Sequence, residues 1–167
     1  MGIIRREKTT DVQSIEAVTR YAFMNAAHSD GTEHFIVEAL RKAGALTVSL
    51  VAEQAGNVIG HVAISPVSIS DGSENWFGLG PVSVLPEFQG QGVGSELIRE
   101  GLDILKALSA NGCVVLGEPG YYARFGFKSD TRLALDGVPA EYFTVLAFSH
   151  SLAVGKVTYH EAFTVKS

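Results

Sequence analysis

Three glycines, Gly90, Gly92 and Gly94, lie where a candidate strand gives way to a candidate helix. Backbone N–H groups in the first turn of a helix have no intrahelical partner, and the helix dipole adds partial positive charge there. Glycine also lets the backbone approach an anion closely. The segment therefore favours a phosphate-binding turn, and the alternative is a glycine-rich connection that binds nothing.

Two common nucleotide-binding motifs do not fit this turn. The Walker A motif requires a Lys after its glycines, and this segment has none. The spacing Gly90-x-Gly92-x-Gly94 also differs from G-x-G-x-x-G, and it comes in the middle of the chain rather than after a first strand. The turn is therefore assigned to neither of these two classes.

A short aromatic run follows further along, with Tyr121, Tyr122, Phe125 and Phe127. Aromatic side chains of this kind commonly fill a core, and that interpretation is kept for Tyr121. A phenol with the ordinary pKa of about 10 is protonated at neutral pH and can donate a proton to a leaving group. Tyr122 is therefore either a general acid or a core aromatic.

Four side chains are candidates for a general base: Glu33, Glu118, His61 and His160. Glu33 has the spacing of a helix capping box, which accounts for it structurally. Glu118 follows a candidate parallel strand, where the sites of α/β proteins gather, whereas His61 lies in the middle of a strand. A water chain or a backbone carbonyl could also take the proton, so no base is assigned.

Neither a metal site nor a disulfide is predicted. Cys113 is the single cysteine, and the five His residues lack the paired spacing of metal ligands. Because Cys113 lies in an apolar stretch, we expect a buried structural thiol. Arg124, close to the aromatic run, is expected to be a solvated helix residue, with contact to a phosphate as the alternative.

Two helices and a series of strands are predicted around these residues. Capping boxes pair Thr10 with Gln13 and Asp30 with Glu33, which places two helices near the N-terminus. Apolar alternation and short apolar runs predict the strands. We place these strands at 3–6, 46–53, 58–65, 76–85, 114–117, 142–148 and 156–163.

A long amphipathic helix over 93–110 has apolar residues at three- and four-residue spacing. It joins the strands at 76–85 and 114–117, so those two strands should be parallel. A short helical turn is expected at 121–124. The chain is thus predicted to be α/β, with a mixed sheet of six to seven strands and helices on both faces, in a single domain over 1–167.

The composition excludes several classes of protein. Hydrophobic residues make up 46% of the chain and charged residues 19%, a balance that allows a sizeable core and argues against disorder. The net charge is −5 without a basic stripe, so nucleic acid is not expected as a partner. No apolar run approaches the roughly 20 residues of a membrane span, and the polar N-terminus does not match a signal peptide, so we expect a cytoplasmic protein.

Taken together, these segments resemble the GNAT superfamily of N-acetyltransferases. Gln89-x-x-Gly92-x-Gly94 matches the superfamily signature Q/R-x-x-G-x-G/A. The run from Gly117 to Phe127 is similar to the aromatic-Tyr-x-x-x-Gly-Phe element of the same superfamily. The Leu79-Gly80-Pro81 start and the closing stretch from Gly155 to Phe163 resemble its YhbS-like branch, so that the resemblance covers nearly the whole chain.

The resemblance implies a GNAT fold that binds acetyl-CoA as cosubstrate. Backbone groups of Val82 and Val84 would bind the pantetheine arm, and the Val84 N–H would stabilise the oxyanion. Tyr122, four residues before Gly126, would be the general acid that protonates the CoA thiolate. The pyrophosphate would be held by the amides of Gly90, Gln91, Gly92, Val93, Gly94 and Ser95.

This sequence departs from the family pattern at one position. Many GNATs have an Asn on or just after the strand that follows the long helix, and it binds the pantetheine. Here that stretch reads Val114-Val115-Leu116-Gly117, so this contact is not expected.

The function implied by the resemblance is transfer of an acetyl group to a primary amine of a small molecule, peptide or protein, by direct attack in a ternary complex. The alternative is a non-catalytic acyl-CoA-binding module, a sensor or partner subunit, which would have no need of Tyr122 as an acid. Loops at 25–31, 70–75 and 150–155 are expected to build the acceptor site. The sequence leaves open whether the chain forms a homodimer.

Overall fold

The chain folds into eight strands and four α-helices within the residues that the computed structural model describes, which are 2–24, 26, 29–150 and 153–166. No helix in this described part is long and apolar enough to cross a membrane. The strands are β1 (Ile3–Arg6), β2 (Val48–Gln54), β3 (Asn57–Ile69), β4 (Trp76–Val84), β5 (Gly112–Leu116), β6 (Leu133–Ala134), β7 (Phe143–Ala147) and β8 (Gly155–Tyr159). The helices are α1 (Val12–Phe23), α2 (Glu33–Lys42), α3 (Val93–Ala107) and α4 (Pro119–Tyr122).

Six strands form the main sheet in the order β1-β2-β3-β4-β5-β7. β4 and β5 are parallel, as predicted from the helix that joins them, and the other neighbours are antiparallel. β8 pairs with β3 beyond the residues that pair with β2, and β6 pairs with β8. With only two residues, β6 is too short to show strand periodicity, so the sequence does not predict it.

Helices cover both faces of this sheet, which confirms the predicted mixed α/β class. α3 buries Leu97, Ile98 and Leu105 against strand residues such as Val62 and Ile64. These contacts remove apolar area from water on one face of β2 to β5, and that burial is the main stabilising term.

The opposite face of β2 and β3 packs against α1 and α2. Ile15 of α1 and Val37 of α2 form a buried cluster with Val51 and Ala63, whose side chains alternate with those facing α3. Side chains of successive strand residues point to opposite faces, so one pair of strands supports both helix layers.

The N-termini of α1 and α2 differ from the predicted capping boxes. A 3-10 turn precedes α1, and the Lys8 backbone N–H donates to the Asp11 carboxylate at 2.6 Å. Arg5 of β1 makes two further hydrogen bonds to Asp11. The predicted pair Thr10–Gln13 is therefore wrong, because the acidic residue between them takes the capping role.

Before α2, the Thr32 backbone N–H and hydroxyl donate to the Asp30 carboxylate. The Glu33 carboxylate instead accepts the Ser29 hydroxyl at 2.7 Å. The predicted Asp30–Glu33 capping box therefore does not form. Glu33 also lines a cleft that is described below.

The last strand is shorter than predicted. β8 ends at Tyr159, and a 3-10 turn over Glu161–Thr164 follows where the sequence placed a continuing strand. His160 explains the change, because its Nδ1 accepts the Ala162 backbone N–H at 3.0 Å and so begins the turn. α3 likewise ends at Ala107, before the predicted position 110.

The contact of α3 with the sheet generates a stability prediction. Leu105 is 0% exposed, whereas Leu108, three residues later, is 55% exposed. We expect Leu105→Ala to lower the free energy of unfolding by about 2–5 kcal/mol, because it leaves a cavity in the core. Leu108→Ala should change it by less than about 0.5 kcal/mol in the same urea denaturation experiment. Equal losses in the two variants would contradict the packing described here.

Candidate active site

β4 and β5 run side by side only for part of their length. Their parallel pairing extends from Trp76 opposite Gly112 to Leu79 opposite Val115, and β5 ends one residue later. β4 continues to Val84 along β3, with a register shift at Gly80 and Pro81, which are joined by a cis peptide bond. The second half of β4 therefore has an edge that no strand covers within the described part of the chain.

The backbone of β4 presents Val82 and Val84 to this open edge. The Leu85 N–H donates to the Ile59 carbonyl of β3 at 2.9 Å. The N–H groups of successive residues in a strand point to opposite edges. Val84 and Val82 lie one and three residues before Leu85, so their N–H groups face away from β3 and into the gap.

The turn after β4 uses glycine where the backbone requires it. Gly90 and Gly92 have φ of +77° and +87°, a region that L-residues with side chains rarely adopt. Gly92 is the N-cap of α3 and provides no side chain to cap the helix. The N–H groups of the first turn of α3 are thus left for an outside partner, with the helix dipole behind them.

Gln89, the first residue of the sequence motif, ties this turn to the strand. Its side-chain Nε2 donates to the Val84 carbonyl at 2.9 Å, so of the two backbone groups of Val84 only the N–H is left for another partner. The Gln91 side chain instead donates to the Glu87 carbonyl at 3.2 Å and lies outside the cleft. Of the residues predicted to bind the cosubstrate, Gln91 alone does not line the cleft.

A cleft of about 530 Å³, here called the glycine cleft, opens between this turn and α4. The Tyr121 hydroxyl lies 3.3 Å from the Ser95 hydroxyl across it. Tyr121 therefore packs on the core with its ring but faces the cleft with its hydroxyl, which the sequence interpretation of a core aromatic missed. Arg124 is exposed, as expected, and its guanidinium also stacks over the Tyr121 ring at 4.5 Å, at the rim of the cleft.

Tyr122 lies at the inner end of the glycine cleft. Burial raises the pKa of its hydroxyl to about 12, so the phenol stays protonated at neutral pH. Its ring packs edge-on against Tyr121 and Phe127. A Cβ atom at Gly117 would lie only 2.5 Å from its Cε2, so the ring occupies the space that a side chain at position 117 would need.

A second cleft of about 680 Å³, here called the apolar cleft, lies on the other side of Tyr122. It is lined by apolar side chains, among them Ile36, Leu79 and Phe163, together with the carboxylates of Glu33 and Asp136. Tyr122 and Val82 line both clefts. A chain-like ligand in the glycine cleft would therefore meet a ligand of the apolar cleft at these two residues.

A side groove of about 600 Å³ continues the apolar cleft. The two share Glu33 and Leu116, and the groove adds Gly117 and Glu118. Two of the four general-base candidates, Glu33 and Glu118, thus lie on one continuous surface that begins at Tyr122.

The two candidate histidines lie elsewhere. His160 begins the 3-10 turn that follows β8 and lines neither cleft. His61 is fully buried in β3, with its Nε2 2.8 Å from the Ser49 hydroxyl, which also bonds to Glu7. Burial lowers the pKa of His61 to about 4. Cys113 is buried too, and burial raises the pKa of its thiol, so it is a core residue as expected.

Sequence reasoning missed Tyr159, Phe163 and Asp136, which line the apolar cleft. These residues belong to the C-terminal segments, where the motifs are weakest, so no spacing pointed to them. The loops expected at the acceptor site are only partly described, since Asn25, Ala27, His28, Ser151 and Leu152 lie outside the described residues. Among all the residues that the structure describes, no group of three or more His, Cys, Asp or Glu side chains could hold a metal ion.

The acetyltransferase (GNAT) domain family matches residues 45–129 of this chain. The uncharacterized N-acetyltransferase YhbS of Escherichia coli K12 is 35% identical over 96% of this chain and 98% of its own length. Both comparisons include the glycine turn and α4.

Two solved structures share the fold over almost their full length. One is a GNAT family acetyltransferase from Brucella melitensis in complex with acetyl-CoA, 50% identical, with a TM-score of 0.88 over 98% of both chains. The other is YhbS from Escherichia coli in complex with CoA, 34% identical, with a TM-score of 0.89 over 99% of this chain and 93% of its own.

The burial of His61 generates a prediction on stability. Its folded-state pKa of about 4 lies below the ordinary 6.5, so the unfolded chain binds a proton that the folded chain excludes. The free energy of unfolding should therefore fall by up to about 3 kcal/mol as the pH falls through this window. Urea denaturation between pH 6.5 and pH 4 measures the loss.

His61→Gln is the matched variant, because Gln can keep the bond to Ser49 but does not titrate. Its stability should be nearly flat in the upper part of this window. Asp11, whose pKa the Arg5 guanidinium lowers to about 2, adds its own loss only at lower pH. An equally steep pH dependence in His61→Gln would contradict the assignment.

Proposed function

Because the chain belongs to the GNAT family of acetyltransferases, we propose that it transfers the acetyl group of acetyl-CoA to a primary amine while both substrates are bound. The enzyme class follows from the family, and the acceptor and the residue roles are the proposal. The two clefts draw on residues from Phe23 to Thr164, so we also propose that the chain acts as a single domain.

The glycine cleft has the features that the pyrophosphate and pantetheine of CoA require. The uncapped N–H groups of the first turn of α3 and the partial positive charge of the helix suit two phosphates. A Cβ atom at Gly90 or Gly92 would meet no protein atom within 4 Å, so both positions border open space where a phosphate could lie. The open edge of β4 offers the backbone of Val82 and the N–H of Val84 to the amides of pantetheine.

The observation that carries the proposal is the meeting of the two clefts at Tyr122 and Val82. An acyl-CoA laid along β4 brings its thioester to this junction. An amine in the apolar cleft then faces the carbonyl carbon without having to cross the sheet. Such placement of two reactants accounts for much of the rate gain in bisubstrate enzymes.

The chemistry follows from these positions. The neutral amine attacks the carbonyl carbon, and a backbone N–H of the open edge of β4, that of Val82 or of Val84, donates to the oxygen that becomes negative. The C–S bond then breaks as the amide forms, and the Tyr122 hydroxyl donates its proton to the CoA thiolate. With its pKa raised to about 12, the Tyr122 hydroxyl is protonated at neutral pH and is present as a donor when the thiolate forms. The proton lost by the amine passes to water or to a carboxylate of the apolar cleft, and water returns a proton to the Tyr122 oxygen, so the net products are the amide and the CoA thiol.

A non-catalytic acyl-CoA-binding module is the competing function. The relatives are named as acetyltransferases, and a hydroxyl held at the junction of two clefts favours turnover. A screen of amines and peptides with acetyl-CoA, followed by thiol release and by the mass of the acetylated product, distinguishes the two. Acetyl-CoA binding without any product across the screen would favour the module.

We expect Gly92→Val to weaken CoA binding by more than about tenfold, because the added side chain enters the space that we assign to the pyrophosphate. Gly56→Val, in the turn between β2 and β3, is the matched control, since Gly56 also has positive φ and open space around it. Both variants should lose stability through backbone strain. Calorimetry should find weakened CoA binding in Gly92→Val but not in Gly56→Val. Equal CoA affinities in the two variants would contradict the proposal that this turn binds the pyrophosphate.

We expect Tyr122→Phe to lower kcat by at least about tenfold while it leaves CoA affinity and fold unchanged. The ring keeps its packing, and only the proton donor is lost. Tyr121→Phe is the control, because its hydroxyl faces Ser95 rather than the junction, so it should affect CoA affinity more than kcat. An unchanged kcat in Tyr122→Phe would contradict the role of Tyr122 as general acid.

A further inference from the structure

The glycine cleft has one charged side chain among the described residues that line it, and that side chain is Arg124. The rest of the lining consists of backbone, hydroxyl, amide and apolar groups. Glu87, Glu96 and Glu118 flank the glycine turn and α4 in sequence, but they do not line this cleft. An anionic ligand in the glycine cleft therefore meets one full charge of the lining, and that charge is positive.

Arg124 has no anionic partner within the described part of the chain. Its guanidinium makes no ion pair and no hydrogen bond to another described residue. The contact that holds it is with the face of the Tyr121 ring, at 4.5 Å between the guanidinium carbon and the ring centroid. This contact occupies none of the five guanidinium N–H donors with an oxygen acceptor, so the donors remain available to an anion.

Tyr121 brings this guanidinium close to the start of α3. The Tyr121 hydroxyl lies 3.3 Å from the Ser95 hydroxyl, and a Cβ atom at Gly94 would lie 3.4 Å from the same tyrosine oxygen. Gly94 and Ser95 belong to the first turn of the helix, which has no side-chain cap. Phe125 packs edge-on against the Tyr121 ring, at 5.5 Å between ring centroids. One tyrosine side chain thus connects the cation to the uncapped N–H groups.

We propose that the Arg124 guanidinium, held on the ring of Tyr121, binds a phosphate of CoA and thereby sets the affinity of the glycine cleft for its cosubstrate. This inference rests on the proposed location of CoA and adds a side-chain contact to the backbone contacts proposed there. CoA has a pyrophosphate and a 3′-phosphate, and both accept guanidinium N–H groups in the same way. Dephospho-CoA, which lacks the 3′-phosphate, distinguishes the two.

The charge of the whole chain explains why one cation matters here. The net charge is −5, so the long-range field of the protein does not favour a ligand with several negative charges. The start of α3 contributes only a partial positive charge. Arg124 supplies a full charge next to it, and because the side chain is exposed, salt should screen its attraction for phosphate.

Arg124→Gln tests the contact, and Arg99→Gln is its matched control. Arg99 is also exposed and also lies over an aromatic ring, that of Phe125 at 5.0 Å, but it does not line the glycine cleft. Each variant removes one positive charge from the same part of the surface. In calorimetry at low salt, CoA binding should weaken by at least about fivefold in Arg124→Gln and by less than about twofold in Arg99→Gln. Equal CoA affinities in the two variants would overturn the inference.

The salt dependence tests the electrostatic origin of this loss. The difference between the native chain and Arg124→Gln should shrink to less than about twofold at about 0.5 M NaCl, because exposed charges are screened. A difference of the same size at both salt concentrations would contradict a phosphate contact by an exposed cation.

Dephospho-CoA identifies the phosphate. If Arg124 binds the 3′-phosphate, Arg124→Gln weakens the binding of CoA but not of dephospho-CoA. If Arg124 binds the pyrophosphate, the substitution weakens the binding of both ligands by the same factor. Native affinity of Arg124→Gln for both ligands overturns the inference.

Two further backgrounds test whether the ring of Tyr121 positions the cation. Tyr121→Phe keeps the ring, so the addition of Arg124→Gln should weaken CoA binding by the same factor as in the native chain. Tyr121→Leu removes the ring but keeps an apolar side chain, and there the addition of Arg124→Gln should cost less than about twofold. The same factor in both backgrounds would overturn the positioning role of Tyr121.

Comparison with Gly92→Val separates this inference from the proposed location of CoA. Weak CoA binding in Gly92→Val, together with native affinity in Arg124→Gln, would overturn the contact with Arg124 and leave CoA in the glycine cleft. Native CoA affinity in both variants would contradict the location itself and, with it, the inference.

Discussion

The separation of β4 from β5 after Leu79 and Val115 is the constraint on which the site depends. A sheet normally satisfies its backbone groups with the neighbouring strand, but here half of β4 keeps one edge open. The opening exists because β5 ends at Leu116 while β4 follows β3 for several more residues, past the register shift at Gly80 and Pro81. An extended ligand with its own amides can fill this edge as a missing strand would.

The rest of the fold brings different chemistry to the two sides of this opening. α3 is buried so firmly on one face that its N-terminus, at Gly92, is held at the end of β4 without a cap of its own. The C-terminal β8 and the turn after it bring Tyr159 and Phe163 to the other side. The glycine cleft and the apolar cleft thus lie along one strand, and Tyr122 lines both of them.

The sequence predicted the parts of the molecule that local patterns control. The glycine turn, the parallel pair β4–β5 and the helix layers follow from residue spacing, because backbone conformation and periodic burial leave local signals. The apolar cleft did not follow, since Tyr159, Asp136 and Glu33 come from distant segments, and pairing of β8 with β3 and β6 is needed to bring the first two to the cleft. Long-range contacts of this kind are absent from any single stretch of sequence. The start of α1 was missed for a different reason, because the Asp11 carboxylate accepts the Lys8 N–H and pairs with Arg5, and capping-box spacing alone does not show these local contacts.

The close approach of Tyr122 to Gly117 has a consequence for sequence variation among relatives. Because a Cβ atom at position 117 would come within 2.5 Å of the tyrosine ring, a side chain there and this ring orientation exclude each other on this backbone. A related chain with any side chain at this position would have to place its tyrosine differently or shift α4. Positions 117 and 122 are therefore expected to vary as a pair, and a chain that gains a side chain at 117 alone should retain the fold but misplace the Tyr122 hydroxyl.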